Sequence, residues 1–236
     1  GLLMGLCIGL IVVALGGLVI YVLLTGGARK EFDELAQRVE KETVGLPAGQ
    51  TPKAYADLKA ENPDFVGWIK IEGTSVNYPV VQTKAEPQYY LRRSFEGSYS
   101  IAGTPFLDAQ CDMEKGIGLI IYGHNMKNGT MFGSLKNYTD ASYYAEHPTI
   151  ELETAAGKAL YTIFSVMKVQ KEDAWYRFLT VDTETDFLHQ IRYARECALY
   201  DTGIIPTYGQ QLLTLSTCYG SSGGDGRLLI VAAKTE

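Results

Sequence analysis

The segment Leu212–Cys218 (LLTLSTC), followed by residues 219–226 (YGSSGGDG) and 227–232 (RLLIVA), decides the fold of this chain. The two flanking segments are apolar and β-branched runs without Gly or Pro, which is typical of buried strands. The segment between them is too rich in Gly and Ser to continue either strand, so it is predicted to be a loop. If the two strands pair as a hairpin, Cys218 and Arg227 face each other at the mouth of this loop.

A cysteine next to an arginine predicts nucleophilic chemistry. The positive charge of Arg227 favours the thiolate of Cys218, and the thiolate is the reactive form of cysteine. The guanidinium can also donate hydrogen bonds to an oxyanion that forms during acyl transfer.

A cysteine nucleophile also needs an acid/base partner, and the chain contains three histidines. His124 follows the apolar strand predicted over residues 117–122, so its ring is placed at a strand end, as Cys218 is. His147 precedes a proline in a predicted turn, and His189 lies in the middle of a predicted helix. We therefore predict that His124 is the partner of Cys218.

These residues carry a family signature. Thr214-Leu215-Ser216-Thr217-Cys218 followed by Arg227, with Tyr122-Gly123-His124 upstream, resembles the sortases, which are membrane-anchored cysteine transpeptidases of Gram-positive bacteria. The resemblance extends from about Asn62 to the end of the chain.

Further segments resemble class B sortases in particular. They are residues 62–71 (NPDFVGWIKI), residues 78–82 (YPVVQ), Met131-Phe132-Gly133 after the histidine, and a long helix-like insertion before the cysteine strand. Tyr219, directly after Cys218, matches no fixed residue of the family, and its role stays open.

The resemblance implies acyl transfer at these residues. Cys218 would attack the carbonyl at a threonine in the C-terminal sorting motif of a secreted protein, and Arg227 would stabilise the oxyanion. His124 would protonate the leaving amine and later deprotonate a peptidoglycan amine acceptor. Ser216 and Thr217 are candidate substrate contacts, or else ordinary polar residues of the strand. The mechanism requires no cofactor and no metal.

Two other functions remain open from the sequence. One is a cysteine peptidase that hydrolyses its thioester with water, and the other is a non-catalytic surface domain that binds through the same fold. The net charge of −6 argues against a nucleic-acid-binding surface. The four cysteines are too few and too scattered for a disulfide scaffold.

Residues 1–28 carry no charged side chain and are long enough to cross a bilayer core of about 30 Å as a helix. We predict a transmembrane anchor here, with residues 2–24 in contact with lipid, because the apolar run is longer than that of a cleaved signal peptide. The sequence begins with Gly, so we expect further residues upstream, and charges on both flanks cannot be compared. Arg29 and Lys30 alone would place the following domain in the cytoplasm. The resemblance implies the extracellular face, which we follow.

The rest of the chain predicts a mainly β fold. Residues 29–62 are predicted to form a helical segment that precedes the barrel or serves as a spacer, with one helix ending near residues 45–49 and a second capped by Thr51. Residues 63–236 are predicted to form the catalytic domain, a closed β-barrel of about eight strands with one inserted helix that ends at Gly203. The predicted strands are 68–71, 76–82, 104–108, 117–122, 149–153, 160–169, 212–218 and one beginning at residue 227.

Overall fold

The computed structural model describes residues 2–43, 45, 50–181, 183–220 and 224–235. Its strands form a closed barrel in the order β1-β2-β3-β4-β7-β8-β6-β5, which confirms the predicted barrel of eight strands. The strands are β1 Phe65–Lys70, β2 Asn77–Val81, β3 Phe106–Leu107, β4 Gly118–Tyr122, β5 Thr149–Thr154, β6 Gly157–Gln170, β7 Leu212–Cys218 and β8 Gly226–Lys234.

Helices precede the barrel and occupy its connections. The α-helices are α1 Leu2–Thr43, α2 Lys53–Glu61, α3 Ala141–Glu146 and α4 Glu184–Glu196, and the 3-10 helices are Tyr89–Arg92, Gly133–Thr139 and Ala174–Thr180. The inserted helix predicted before the cysteine strand is α4.

Strand β7 is buried on both of its faces. Leu213 and Leu215 point into the barrel core, whereas Leu212 belongs to a second apolar cluster that β7 shares with α4 and the 3-10 helix before it. The hydroxyl of Thr214 on this outer face accepts a hydrogen bond of 3.0 Å from the indole nitrogen of Trp175. Burial on both faces explains why the segment carries no charged side chain, and the hydroxyls of its polar residues Thr214, Ser216 and Thr217 are all hydrogen-bonded within the protein.

The N-terminal helices pack against the barrel. The ring of Phe32 on α1 meets the ring of Tyr78 on β2 edge to face, with centroids 5.5 Å apart. On α2, the hydroxyl of Tyr55 donates a hydrogen bond of 3.0 Å to the carboxylate of Glu153 on β5. The helices that precede the barrel therefore contribute to the same core as the strands.

The transmembrane helix predicted over residues 1–28 finds no support in the structure. Within the part of the chain that the structure describes, no helix is both long enough and apolar enough to cross a membrane. Helix α1 continues through residue 28 without a break. The predicted end of the first helix falls largely on residues 44 and 46–49, which lie outside the described residues. The domain limits at residues 28 and 62 stay predictions.

Two predicted helix ends are wrong in detail. Helix α2 begins at Lys53 without a side-chain cap from Thr51, because the carboxylate of Glu42 on α1 accepts the backbone N–H of Ala54 instead. Helix α4 ends at Glu196, well before Gly203. The positive φ of Gly203 (73°) belongs to a later turn.

Candidate active site

Strands β4 and β7 lie side by side and run parallel, with Tyr122 paired to Ser216. His124 and Cys218 each come two residues after this pair. The parallel register therefore brings the ends of the two strands, and with them the two side chains, to the same rim of the barrel.

Three hydrogen bonds join these strand ends beyond the regular ladder. The backbone N–H of Gly123 donates to the carbonyl of Ser216 at 3.1 Å. In return, the hydroxyl of Thr217 donates to the carbonyl of Gly123 at 2.7 Å. The side-chain amide of Asn125 donates to the carbonyl of Cys218 at 2.8 Å. The loop that carries the histidine is thus fastened to the strand that carries the cysteine.

Cys218 and Arg227 form the last pair of the antiparallel ladder between β7 and β8. Residues directly opposite in such a ladder have Cβ atoms about 4.5–5.5 Å apart and project from the same face of the sheet. Cys218 is a free, exposed cysteine. The structure confirms the predicted hairpin, with its loop beginning after Cys218.

The guanidinium of Arg227 is held by its own loop. One terminal nitrogen, Nη1, donates to the carbonyls of Gly224 and Gly226 at 3.1 and 2.8 Å. A guanidinium has five N–H donors, so three of them, on Nε and Nη2, are left over. Among the described residues they have no partner, and they form the planar edge that suits an oxygen anion.

The three predicted catalytic residues line one cavity of about 700 Å³. Aromatic rings form part of its wall: Tyr122 and Tyr176 stack with centroids 6.4 Å apart, and Phe106 lies 5.4 Å from Tyr122. The lining residues are Pro87, Gln88, Leu91, Phe106, Asp108, Ala109, Gln110, Tyr122, Gly123, His124, Lys171, Glu172, Tyr176, Leu179, Ser216, Thr217, Cys218 and Arg227.

His124 is tied to a second part of the wall. Its Nε2 lies 2.8 Å from the carbonyl oxygen of Leu91, in the 3-10 helix Tyr89–Arg92. Burial lowers the pKa of His124 below its ordinary value, the Leu91 carbonyl opposes that shift, and the positive charge of Arg92 adds to it. The imidazole is therefore mainly neutral near pH 7.

The two candidate substrate contacts lie at the cavity with their hydroxyls already engaged by the protein. Ser216 shares a hydrogen bond of 2.8 Å with the hydroxyl of Tyr176, and Thr217 bonds to Gly123. Both residues are almost fully buried. Their role in substrate binding stays a prediction.

The structure also shows cavity residues that the sequence did not indicate. None of the four tyrosines in the pairs at residues 89–90 and 143–144 lines this cavity. Tyr176 does, and it comes from a 3-10 helix 40 residues before Ser216. The other histidines, His147 and His189, do not line the cavity.

Tyr219 lies at the base of the loop after Cys218. Its N–H donates to the carbonyl of Gly226 at 2.9 Å, and the ammonium of Lys168 sits 4.5 Å from its ring centroid. These contacts fix the direction in which the chain continues after Cys218.

Comparison with known proteins agrees with this geometry. A family model described as the sortase domain matches residues 69–235. Sortase B of Staphylococcus aureus (strain NCTC 8325 / PS 47) is 30% identical over 181 residues, which cover 76% of this chain and 73% of that protein. A solved structure of the Staphylococcus aureus sortase B–substrate complex has a TM-score of 0.83 at 27% identity and covers 91% of this chain and 99% of that chain. Sortase B from B. anthracis in complex with AAEK1 has a TM-score of 0.81 at 30% identity, with the same coverage.

Proposed function

Because this chain belongs to the sortase family of cysteine transpeptidases and is similar to its class B members, we propose that it joins secreted proteins to a cell-wall amine. Its substrate is a C-terminal sorting motif that is cleaved after a threonine, and its acceptor is an amine of peptidoglycan. One observation carries the proposal: Cys218, His124 and Arg227 line a single cavity.

Acylation begins when the neutral imidazole of His124 takes the proton of the Cys218 thiol, which gives a thiolate and an imidazolium. The thiolate attacks the carbonyl carbon of the threonine, and the carbonyl π electrons move to the oxygen to give a tetrahedral oxyanion. The free donors of Arg227 hydrogen-bond to this oxyanion and lower the barrier. When the intermediate collapses, the peptide C–N bond breaks, the protonated imidazole of His124 gives its proton to the leaving amine, and a thioester remains on Cys218.

Transfer reverses these roles. The amine acceptor attacks the thioester carbonyl, and the now neutral His124 takes the proton that the amine loses. Collapse of the second tetrahedral intermediate breaks the C–S bond, so a new peptide bond forms and the thiolate of Cys218 is regenerated. Each proton taken up is returned, so the cycle needs no other reactant.

The lining of the cavity supports a peptide as the substrate. It combines the aromatic side chains of Phe106, Tyr122 and Tyr176 with Cys218 and Arg227 at the ends of β7 and β8, and so suits a chain with both apolar and polar groups. Lys171 and Asp225 form an ion pair of 3.0 Å where β6 meets the β7–β8 loop. This pair helps to hold the loop that carries the carbonyls bonded to Arg227.

The experiment uses a library of peptides with C-terminal sorting sequences, an amine acceptor and mass spectrometry of the products. We expect a thioester on Cys218 and a ligated product cleaved after threonine, and neither with Cys218→Ala. A hydrolysed peptide without any ligated product would instead indicate a cysteine peptidase. Peptide binding without cleavage would indicate a non-catalytic binding domain.

We also propose attachment to the cell membrane through residues 1–28, with residues 29–62 as a helical segment and the catalytic domain, residues 63–236, on the extracellular face. The uncharged sequence of residues 1–28 supports this, as do the exposed apolar side chains of Leu10, Ile11, Val12 and Val13 on α1. Membrane fractionation, with and without residues 1–28, and protease accessibility in intact cells test the placement. Recovery of the full chain in the soluble fraction would rule it out.

A further inference from the structure

The hydrogen bond between His124 and Leu91 determines which ring nitrogen carries out proton transfer. A carbonyl oxygen can only accept, so Nε2 must carry a hydrogen in order to bond to Leu91. In the neutral ring the lone pair is then on Nδ1, and this is the atom that can take and return a proton. The position of one backbone carbonyl therefore selects the tautomer of the proposed acid/base.

This carbonyl belongs to a short turn that is anchored by a buried tyrosine. The side chain of Tyr90, next to Leu91, is only 3% exposed. Its hydroxyl accepts a hydrogen bond of 2.9 Å from the side-chain amide of Asn62. It lies 3.0 Å from the carboxylate of Asp64, to which it can donate. Asn62 is itself 6% exposed and donates a further bond of 2.7 Å to the carbonyl of Phe95.

The backbone around the turn leaves little freedom. The carbonyl of Tyr90 accepts the N–H of Thr104 at 3.1 Å. Gly103, with a φ of 62°, packs so closely that a Cβ placed there would lie 2.7 Å from the carbonyl oxygens of both Tyr90 and Leu91. The turn thus fits between the barrel and the segment that follows α2.

We propose that Tyr90 is a positioning residue of the transpeptidase, which holds the Leu91 carbonyl where it fixes the tautomer and orientation of His124. The inference rests on the proposed function, in which His124 transfers the proton. It assigns a part in the active site to the segment that links α2 to the barrel, since that segment supplies both partners of the Tyr90 hydroxyl.

Other charged groups near His124 do not provide this orientation. Arg92, from the same turn, acts on the imidazole only through its charge. The remaining ionisable groups at the cavity come from other elements and make no hydrogen bond to His124 among the described residues. They are Asp108 after β3, Tyr122 on β4, Lys171 and Glu172 after β6, Tyr176 in the 3-10 helix Ala174–Thr180, Cys218 on β7 and Arg227 on β8.

The test is Tyr90→Phe in the full chain, which removes the hydroxyl and keeps the ring. We expect the single-turnover acylation rate to fall about 10-fold while KM is unchanged, because a small displacement of a catalytic group slows the chemical step. In ¹⁵N-histidine NMR spectra, parental His124 should show the Nε2–H tautomer and the variant a mixture. The midpoint of its titration should move to lower pH, because the Leu91 hydrogen bond raises the pKa of His124.

Tyr161→Phe is the matched control. Tyr161 is a buried tyrosine whose hydroxyl donates one hydrogen bond, to Gln211, and it pairs with Lys234 at the far end of β8 from Arg227. Tyr161→Phe should lower the melting temperature without changing the tautomer of His124 or the single-turnover acylation rate. Equal effects of the two variants on rate and tautomer would overturn the inference.

Two further variants separate the possible failures. If Tyr90→Phe does not fold, Asp64→Ala replaces it in the test, because it removes one partner of the Tyr90 hydroxyl. We expect Asp64→Ala to give a mixture of His124 tautomers as well. If His124→Ala keeps the parental rate, the proposed function is wrong at this residue. If His124→Ala is slow while Tyr90→Phe and Asp64→Ala keep the parental tautomer and rate, only the role of Tyr90 is wrong.

Discussion

The side-chain amide of Asn125 donates a hydrogen bond of 2.8 Å to the carbonyl of Cys218. The residue next to His124 therefore holds the last peptide group of β7, from which the cysteine side chain projects. Because the two strand ends are coupled in this way, the placement of Cys218 depends on the loop that carries His124.

Asn125→Ala should lower the acylation rate several-fold with little loss of stability, because the hydrogen bond is exposed and contributes about 1 kcal/mol at most. Single-turnover kinetics and thermal unfolding measure the two effects. Asn128→Ala is the control, since Asn128 bonds to Thr130 within the same loop. A parental rate for Asn125→Ala would show that this contact does not position Cys218.

Cys218→Ala should abolish turnover and leave the fold intact, because the residue is exposed at a strand end. Cys111→Ala should keep most of the activity: Cys111 is 2% exposed, and burial raises its thiol pKa to about 12. Cys197→Ala should behave likewise. Mass spectrometry for an acyl-enzyme is the measurement, and its detection on Cys218→Ala would contradict the assignment.

His124→Ala should lower the rate about 100-fold or more, which is the usual contribution of general acid–base catalysis. His147→Ala and His189→Ala should change the rate little, because neither residue lines the cavity. The three variants are compared by steady-state transpeptidation. A loss at His189 as large as that at His124 would remove His124 from its proposed role.

The pH dependence of stability should also report on His124. Its pKa in the folded protein is lowered by burial, so the folded state binds fewer protons than the unfolded state in the range where the two differ. At a pH above the ordinary histidine pKa of 6.5 the ring is neutral in both states, and its burial does not reduce the free energy of unfolding. As the pH falls through the folded-state pKa, the unfolded state is favoured because its histidine binds a proton more readily.

We therefore expect the free energy of unfolding of the parent, relative to His124→Gln, to decrease between about pH 7.5 and about pH 5.5. Denaturant unfolding at the two pH values gives this difference. A difference that does not change with pH would mean that burial does not disfavour the charged imidazole.

Arg227→Lys tests whether acylation depends on the positive charge of Arg227 or on the planar arrangement of its donors. Lysine keeps the positive charge but lacks the planar edge formed by Nε and Nη2. We expect acylation to fall at least about 10-fold, which corresponds to roughly 1.4 kcal/mol of transition-state stabilisation. Single-turnover acylation of Arg227→Lys and Arg227→Ala is the measurement. A lysine variant with the parental rate would leave Arg227 only as a counter-charge to the thiolate.

Local sequence was enough to locate most of the barrel and to place Cys218, His124 and Arg227 at its rim. Apolar runs end at Tyr122 and Cys218, and each is followed by a glycine-containing loop. These runs mark the ends of β4 and β7, where His124 and Cys218 lie. The Gly- and Ser-rich composition of residues 219–226 predicts a loop between two adjacent strands. The pairing of Cys218 with Arg227 then follows from a hairpin between neighbouring segments. The predicted strand over residues 104–108 is only Phe106–Leu107, because its bounds depend on pairing with β2 and β4.

Only the tertiary structure decided which distant groups surround these side chains. The carbonyl that fixes the tautomer of His124 comes from Leu91, 33 residues earlier, and the hydroxyl next to Ser216 comes from Tyr176, 40 residues earlier. Hydrophobic periodicity reports which face of an element is buried, but not which element covers it. Contacts of this kind depend on the parallel pairing of β4 with β7 and on how the connecting turns pack, and neither is encoded in a local pattern.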